Sequence, residues 1–182
     1  MITDTFGELP NGGMLLIGIA GPARSGKDTA ATGIIKQLGA SWSRASFADP
    51  MKLMLNTIGV DTSDEAKDLP SNQFGVSTRR MLQTLGTEWG RDLIGEDFWV
   101  DVFRRMNAGR RIVVPDVRFE NEAQLVRDHG ALIHIMGRGG IAGDHVSESP
   151  LGIKAGDYVI QNDQSETVFL ERVMHCLTDA LK

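Results

Sequence analysis

At 182 residues the chain has room for one domain of ordinary size and falls short of two. Its 41% hydrophobic and 24% charged residues exclude a disordered, collagenous or fibrous chain. A net charge of −5 offers no global attraction to nucleic acid or to an anionic membrane, and a single cysteine, Cys176, excludes an internal disulfide and a multi-cysteine zinc site.

Residues 1–13 are polar, with Asp4 and Glu8 and no Lys or Arg, and read as a loose tail without the basic region of a signal peptide. No run reaches the roughly 18 apolar residues of a membrane span, so the cytoplasm is the expected setting. Met14–Ala20 is apolar without alternation, the pattern of a strand buried on both faces. A glycine-rich loop, Gly21–Gly26, follows it. Lys27–Leu38 then reads as a helix, with Gly39 as its stop. Ser43–Phe47 is a second strand, and Asp49-Pro50 opens a helix to Ile58 with Asp49 as its N-cap.

The stretch 59–75 is acidic and rich in turn residues. A helical pattern starts at Thr78 and resumes beyond Gly86; another covers Asp97–Met106, with Phe98, Val102 and Met106 at helical spacing. Arg111–Pro115 is a third strand, Glu120–His129 a helix closed by Gly130, Ala131–Met136 a fourth strand and Asp157–Gln161 a fifth. Ser165–Leu181 is the last helix. Repeated strand–helix units need right-handed crossovers and predict a doubly wound α/β sheet, helices on both faces, in a single domain spanning 1–182.

Gly21-Pro22-Ala23-Arg24-Ser25-Gly26-Lys27-Asp28-Thr29 has the glycine and lysine spacing of a phosphate-binding loop between strand and helix. The glycines let successive backbone N–H groups face an anion, the helix N-terminus adds its field, and Lys27 supplies a mobile charge for β- and γ-phosphates. Asp28 stands where a hydroxyl residue usually holds Mg²⁺. A carboxylate also serves that hard cation; the plainer alternative is that Asp28 only favours the helix's first turn. Thr29 offers its hydroxyl one place later, suited to the α-phosphate.

Asp116, just past the third strand, fits the second acidic element of phosphate-loop proteins, and Arg118 beside it is placed to face the nucleotide. The plainer alternative is a surface Asp–Arg pair. Arg79, Arg80, Arg118 and Arg138 fall on or near loops, as convergent phosphate contacts require. Arg104, Arg105, Arg110 and Arg111 read as solvated, and the tryptophans and methionines as packing. His145 lies in a Gly-rich stretch, 137–150, where it either touches phosphate or does nothing. The absence of G-x-S-x-G, H-E-x-x-H and G-x-G-x-x-G removes the common hydrolase, zinc and dinucleotide readings.

These residues, with Phe47-Ala48-Asp49-Pro50-Met51-Lys52, Arg79–Glu88, Val114–Arg118, His145–Glu148 and Ile160–Asp163, resemble the bacteriophage-type deoxynucleoside monophosphate kinases, over nearly the whole chain from Met14. That resemblance implies a three-layer α/β/α P-loop kinase fold with a five-stranded parallel sheet. It implies ATP-dependent phosphoryl transfer to a deoxynucleoside 5′-monophosphate, giving the diphosphate.

By the same resemblance, Gly21, Arg24, Ser25, Gly26, Lys27, Asp28 and Thr29 hold ATP, and Asn162 lies by the adenine. Asp28 and Asp116 serve Mg²⁺. Asp49, Lys52, Arg79, Gln83, Arg118 and His145 line the acceptor site, with Lys27, Asp116, Arg118 and Arg138 at the chemistry and Arg138 and His145 in a lid at 137–150. A homodimer in the cytoplasm of an infected bacterium is implied too, with no nucleic-acid or membrane partner. Gln164 stands where the family often has Gly, and Arg138-Gly139-Gly140 where Arg-Pro-Gly is common. The alternatives are a P-loop kinase of another small metabolite and a nucleotide-binding module without kinase activity.

Overall fold

The apolar run near the N-terminus becomes β1 (Leu15–Ala20), and every other element of its sheet is arranged around it. A computed structural model describes residues 13–67, 69–137 and 151–180. The remaining sheet strands are β2 (Trp42–Arg44), β3 (Arg111–Val114), β4 (Gly130–Met136) and β5 (Tyr158–Gln161). All four neighbouring pairs are parallel, in the order β2-β3-β1-β4-β5.

β1 is central, and its alternate residues divide between two layers of helices. Ile17 and Ile19 join Val113, Ile133 and Ile135 against α1 (Lys27–Leu38) and α7 (Glu166–Ala180). From α1 come Ala30, Ala31 and Ile34; from α7 come Phe169, Val173, Cys176 and Leu177. Each of these large side chains stabilises the fold by about 1.5–3 kcal/mol relative to exposure. On the opposite face α6 (Glu120–His129) packs on β1 and β4. Gly18 lets it approach, since a Cβ there would lie 2.7 Å from Val126. The architecture is the expected three-layer α/β/α one, with the glycine loop after β1 and the Asp116 turn after β3 at the carboxyl ends of their strands, where open α/β sheets bind ligands.

The chain falls into two compact units, one made of the segments up to Ser46 and from Asn107, the other of Phe47–Met106. The first contains the sheet with α1, α6 and α7. The second contains α2 (Asp49–Thr57), α3 (Asp64–Lys67), α4 (Thr78–Thr84), a continuous π-helical stretch (Leu85–Ile94) and α5 (Phe98–Met106). Among the described residues no helix is long and apolar enough to cross a membrane.

Four local expectations change. β2 starts at Trp42 and ends at Arg44, because only that segment pairs with β3; the Ala45 N–H makes the last bond to Val113 before the chain turns away. Asp49 sits in the first turn of α2, and Ala48 is the cap residue, since its carbonyl accepts from the Lys52 N–H. The buried side of α5 is Trp99, Val100 and Phe103, not Phe98, Val102 and Met106. Phe47 stacks on Phe103 at 4.4 Å, and Trp99 meets Trp89 at 5.9 Å, so the ring cluster decides which way α5 faces.

The pattern past Gly86 does not resume as an α-helix; it widens, with the Gly95 N–H bonded five residues back to Gly90. Gly86 and Gly90 bare the backbone there. The Trp99 indole donates to the Gly86 carbonyl, and a Cβ on Gly90 would lie 2.1 Å from its Nε1.

Candidate active site

β1 delivers the chain into Gly21–Gly26, and two of that loop's glycines are required by contact as well as by conformation. Gly21 has φ 146°, and a Cβ on it would lie 2.5 Å from the Ile135 carbonyl oxygen. Gly26 has φ 104°, and a Cβ there would lie 2.7 Å from Asn162 Nδ2. Arg24 is also left-handed, at φ 61°, which is uncommon outside glycine. The Ser25 N–H bonds the Pro22 carbonyl at 3.3 Å, and the Gly26 carbonyl accepts the Ala30 N–H to begin α1. Alternation of such backbone conformations makes an anion-binding concavity at a helix N-terminus.

Lys27 folds back over this loop, its Nζ donating to the Gly21 carbonyl at 2.8 Å and also to that of Pro22. Burial lowers its pKa from the ordinary 10.5, and the Arg118 guanidinium lowers it further, while Asp28 and Asp116 act in the opposite sense. These four side chains therefore share one electrostatic environment. Two cations in each other's field raise one another's energy, and a polyanion relieves that.

Asp116 stands in the turn after β3, and Arg118 is exposed two residues on. Their backbone is anchored twice. The Val117 N–H bonds the Ile19 carbonyl of β1 at 3.3 Å. Glu122, 3% exposed, accepts from the Arg118 N–H at 2.8 Å and from the Phe119 N–H at 3.1 Å, satisfying donors at the start of α6.

The carboxylate of Asp28 is largely exposed and ion-paired with Arg44 at the end of β2. Thr29 lies half-buried in the first turn of α1. Asn162 is buried under the loop, its Nδ2 donating to the Ser25 carbonyl at 2.8 Å. No cluster of three or more His, Cys, Asp or Glu suited to a metal occurs among the described residues. Asp28 and Asp116 are hard oxygen donors near a phosphate loop, a donor set that fits Mg²⁺, which is usually held by one or two carboxylates together with substrate phosphates.

The other expected residues lie in the 47–106 unit. Asp49 and Lys52 share a face of α2, with Lys52 Nζ 3.8 Å from Asp49 Oδ1. Arg79 and Gln83 are one turn apart on α4, whose N-terminus Ser77 caps by accepting from the Arg80 N–H. Thr78 ties that helix to the Asp61 carbonyl at 3.1 Å. Arg138, His145 and the rest of the expected lid, 138–150, lie outside the described residues.

Sequence reading missed three groups. Arg44 carries no motif, and only strand pairing brings it to Asp28. Glu122 shows as a helix-start acid, yet its two backbone contacts need the folded turn. The third is a buried network behind the sheet. Arg127 holds Asp157 through Nε and Nη2, each at 2.8 Å, and His134 Nε2 lies 3.0 Å from the same carboxylate.

Comparison with known proteins identifies similar chains. The family model for deoxynucleotide monophosphate kinase matches residues 56–173. The chain is 32% identical, over 92% of its length and 98% of the other's, to an Acanthamoeba polyphaga mimivirus protein whose name assigns it provisionally to the deoxynucleotide monophosphate kinases. It is 33% identical to the deoxynucleotide monophosphate kinase of Enterobacteria phage T4, over 72% of this chain and 57% of that one. Among solved structures, a Mycobacterium tuberculosis APS kinase aligns at TM-score 0.48 and 15% identity, over 93% of this chain and 99% of that one.

Proposed function

The chain belongs to the deoxynucleotide monophosphate kinase family, and on that premise we propose that it transfers the γ-phosphoryl group of ATP to a deoxynucleoside 5′-monophosphate. An oxygen of the acceptor phosphate attacks the γ-phosphorus, the bond from that phosphorus to the β,γ-bridging oxygen breaks, and ADP and the deoxynucleoside diphosphate result. The observation that carries this reading is the left-handed glycine loop at the start of α1 with Lys27 folded back over it, in the field of Arg118, Asp28 and Asp116.

Phosphoryl transfer asks the protein for positioning and charge, since negative charge spreads over the moving group and its neighbours. Backbone N–H groups at the end of the 21–26 loop and the start of α1 cradle the triphosphate, and Thr29 takes the α-phosphate. Lys27 leaves its carbonyl partners for the γ-phosphate. Arg118 offers a planar fork to an anionic oxygen, a contact a lysine does not reproduce. Asp28 and Asp116 would hold Mg²⁺, which when bound offsets charge on the phosphates. Asp49, Lys52, Arg79 and Gln83 are the proposed acceptor contacts of the 47–106 unit; from the 137–150 segment His145 is a further proposed acceptor contact and Arg138 is proposed to act at the chemistry. The family resemblance also supports a homodimer working in the cytoplasm of an infected cell; size-exclusion chromatography with light scattering tests the first.

The function is tested by coupled ADP release over a panel of deoxynucleoside and ribonucleoside monophosphates and unrelated acceptors, with Lys27→Ala as the control. Turnover on one or more deoxynucleoside monophosphates, abolished in folded Lys27→Ala, is expected. Turnover only on other acceptors, or a fully active Lys27→Ala, overturns the reading.

A further inference from the structure

Asn162 lies one residue past β5, is 6% exposed, and is engaged from two sides. Its N–H bonds the Met136 carbonyl at 2.7 Å, tying it to the end of β4. Its side-chain Nδ2 donates to the Ser25 carbonyl at 2.8 Å, across 137 residues of sequence. Gly26 packs so closely that a Cβ there would overlap Nδ2, and on Gly137 a Cβ would lie 3.2 Å from the Asn162 backbone. The amide is therefore fixed by strand ends and by close backbone, and it addresses one peptide group, Ser25–Gly26.

That peptide group is a rigid plane, with its C=O and N–H on opposite sides. A carbonyl drawn down to Asn162 turns the Gly26 N–H the other way, away from the sheet interior. The reverse orientation would leave the buried Asn162 donor unsatisfied and point a carbonyl dipole outward from the loop, repelling an anionic phosphate. Glycine at position 26, with its positive φ, has no steric bar of its own against a peptide flip. Some outside contact has to choose, and Asn162 makes it.

We infer that Asn162 is a positioning residue that locks the Ser25–Gly26 peptide so that the Gly26 N–H donates to the nucleotide's phosphates. This rests on the kinase reading above and assigns Asn162 to the phosphate loop in place of the adenine. It acts through Gly26 and takes no part in bond making or breaking.

The test is equilibrium binding of Mg²⁺-free ATP by calorimetry to the full chain, comparing wild type, Asn162→Asp and Asn162→Ala at pH 8 and pH 5.5. Far-UV circular dichroism reports whether each is folded. Asn162→Asp keeps the shape and loses the donor when ionised, so at pH 8 affinity should fall about 10- to 100-fold. Once protonated, its carboxyl O–H can donate to the Ser25 carbonyl. At pH 5.5 the loss should then shrink to about threefold relative to wild type at the same pH. The charged groups beside it are Asp163, next in the chain, and Arg172 of α7, which pairs with Asp163 and donates to the Gln161 carbonyl; Lys27, which follows Gly26, turns its ammonium to the Gly21 and Pro22 carbonyls.

Asn162→Ala has no donor at either pH and should stay about 5- to 50-fold weak at both. If the aspartate variant does not fold, the alanine variant at both pH values carries the test. A merely structural role for Asn162 predicts no acid recovery in Asn162→Asp. Variants that bind like wild type, or an Asn162→Asp loss unchanged at pH 5.5, overturn the inference while leaving the kinase reading intact. Wild-type protein that binds no ATP overturns both.

Discussion

Replacing Gly26 by alanine puts the phosphate loop under two separate strains, and the structure gives the size of each. The residue sits at φ 104° and ψ 14°, where an L side chain meets the neighbouring backbone, at a cost of about 1–2 kcal/mol. The added methyl would also lie 2.7 Å from Asn162 Nδ2 and 3.2 Å from Phe169 Cε1. Asn162 and Phe169 are buried at 6% and 2% exposure, so neither can swing into solvent. Overpacking of this kind costs about 1–3 kcal/mol more. The sum, about 2–5 kcal/mol, corresponds to a Tm lowered by roughly 4–20 °C in a chain of this length.

Relief of the clash must move the loop or Asn162, so ATP affinity should fall at least about tenfold as well. Gly109→Ala is the comparison, since Gly109 has φ 75° with nothing within 4 Å of the added atom. It should lose only the backbone part of the stability and none of the nucleotide binding. The assays are thermal melts and calorimetric ATP titrations of both variants. A Gly26→Ala protein that melts with Gly109→Ala and binds ATP like wild type would refute the argument that contact with Asn162 and Phe169 shapes the loop.

Three further outcomes are expected. Arg44→Ala removes the ion pair that offsets the Asp28 carboxylate; with the triphosphate on the proposed loop, Mg²⁺-free ATP should then bind about 3- to 10-fold more weakly, less so at high salt. Adding Asp28→Asn should restore it, and calorimetry of the single and double variants decides. Glu122→Ala strands the N–H groups of Arg118 and Phe119 and should cost about 2–4 kcal/mol in urea unfolding, while lowering kcat through a misplaced Arg118. Asp157→Asn leaves Arg127 without its bidentate partner, a loss of about 2–4 kcal/mol at pH 7. The hydrogen bonds from Arg127 hold the Asp157 carboxyl below its ordinary value of 3.8, so its stabilisation is complete above that value and is lost as the pH falls through the depressed one. Wild type and Asp157→Asn should therefore converge in stability only in strong acid, which urea midpoints across the acid range will show.

The sequence by itself determined the elements whose causes are local. An unbroken apolar run followed by glycines and a lysine at fixed spacing already specifies β1, the loop and the start of α1, because strand burial, turn conformation and helix entry all act within about 15 residues. The strands at 111–114 and 130–136 and the helix between them were legible for the same reason, and so was the doubly wound class that follows from alternating strands and helices. Tertiary structure decided what depends on partners far along the chain. Arg44 reaches Asp28 only because β2 takes the edge beside β3, and Asn162 meets Ser25 only because β5 lies beside β4. Trp99, lying against Gly86 and Gly90, sets the face of α5 alongside a widened helix, against the periodicity of Phe98, Val102 and Met106. A side chain's type and its neighbours in sequence set what it can do chemically; which backbone carbonyl or charge it meets is set by strand order and packing, and those arise only when the whole chain closes on its core.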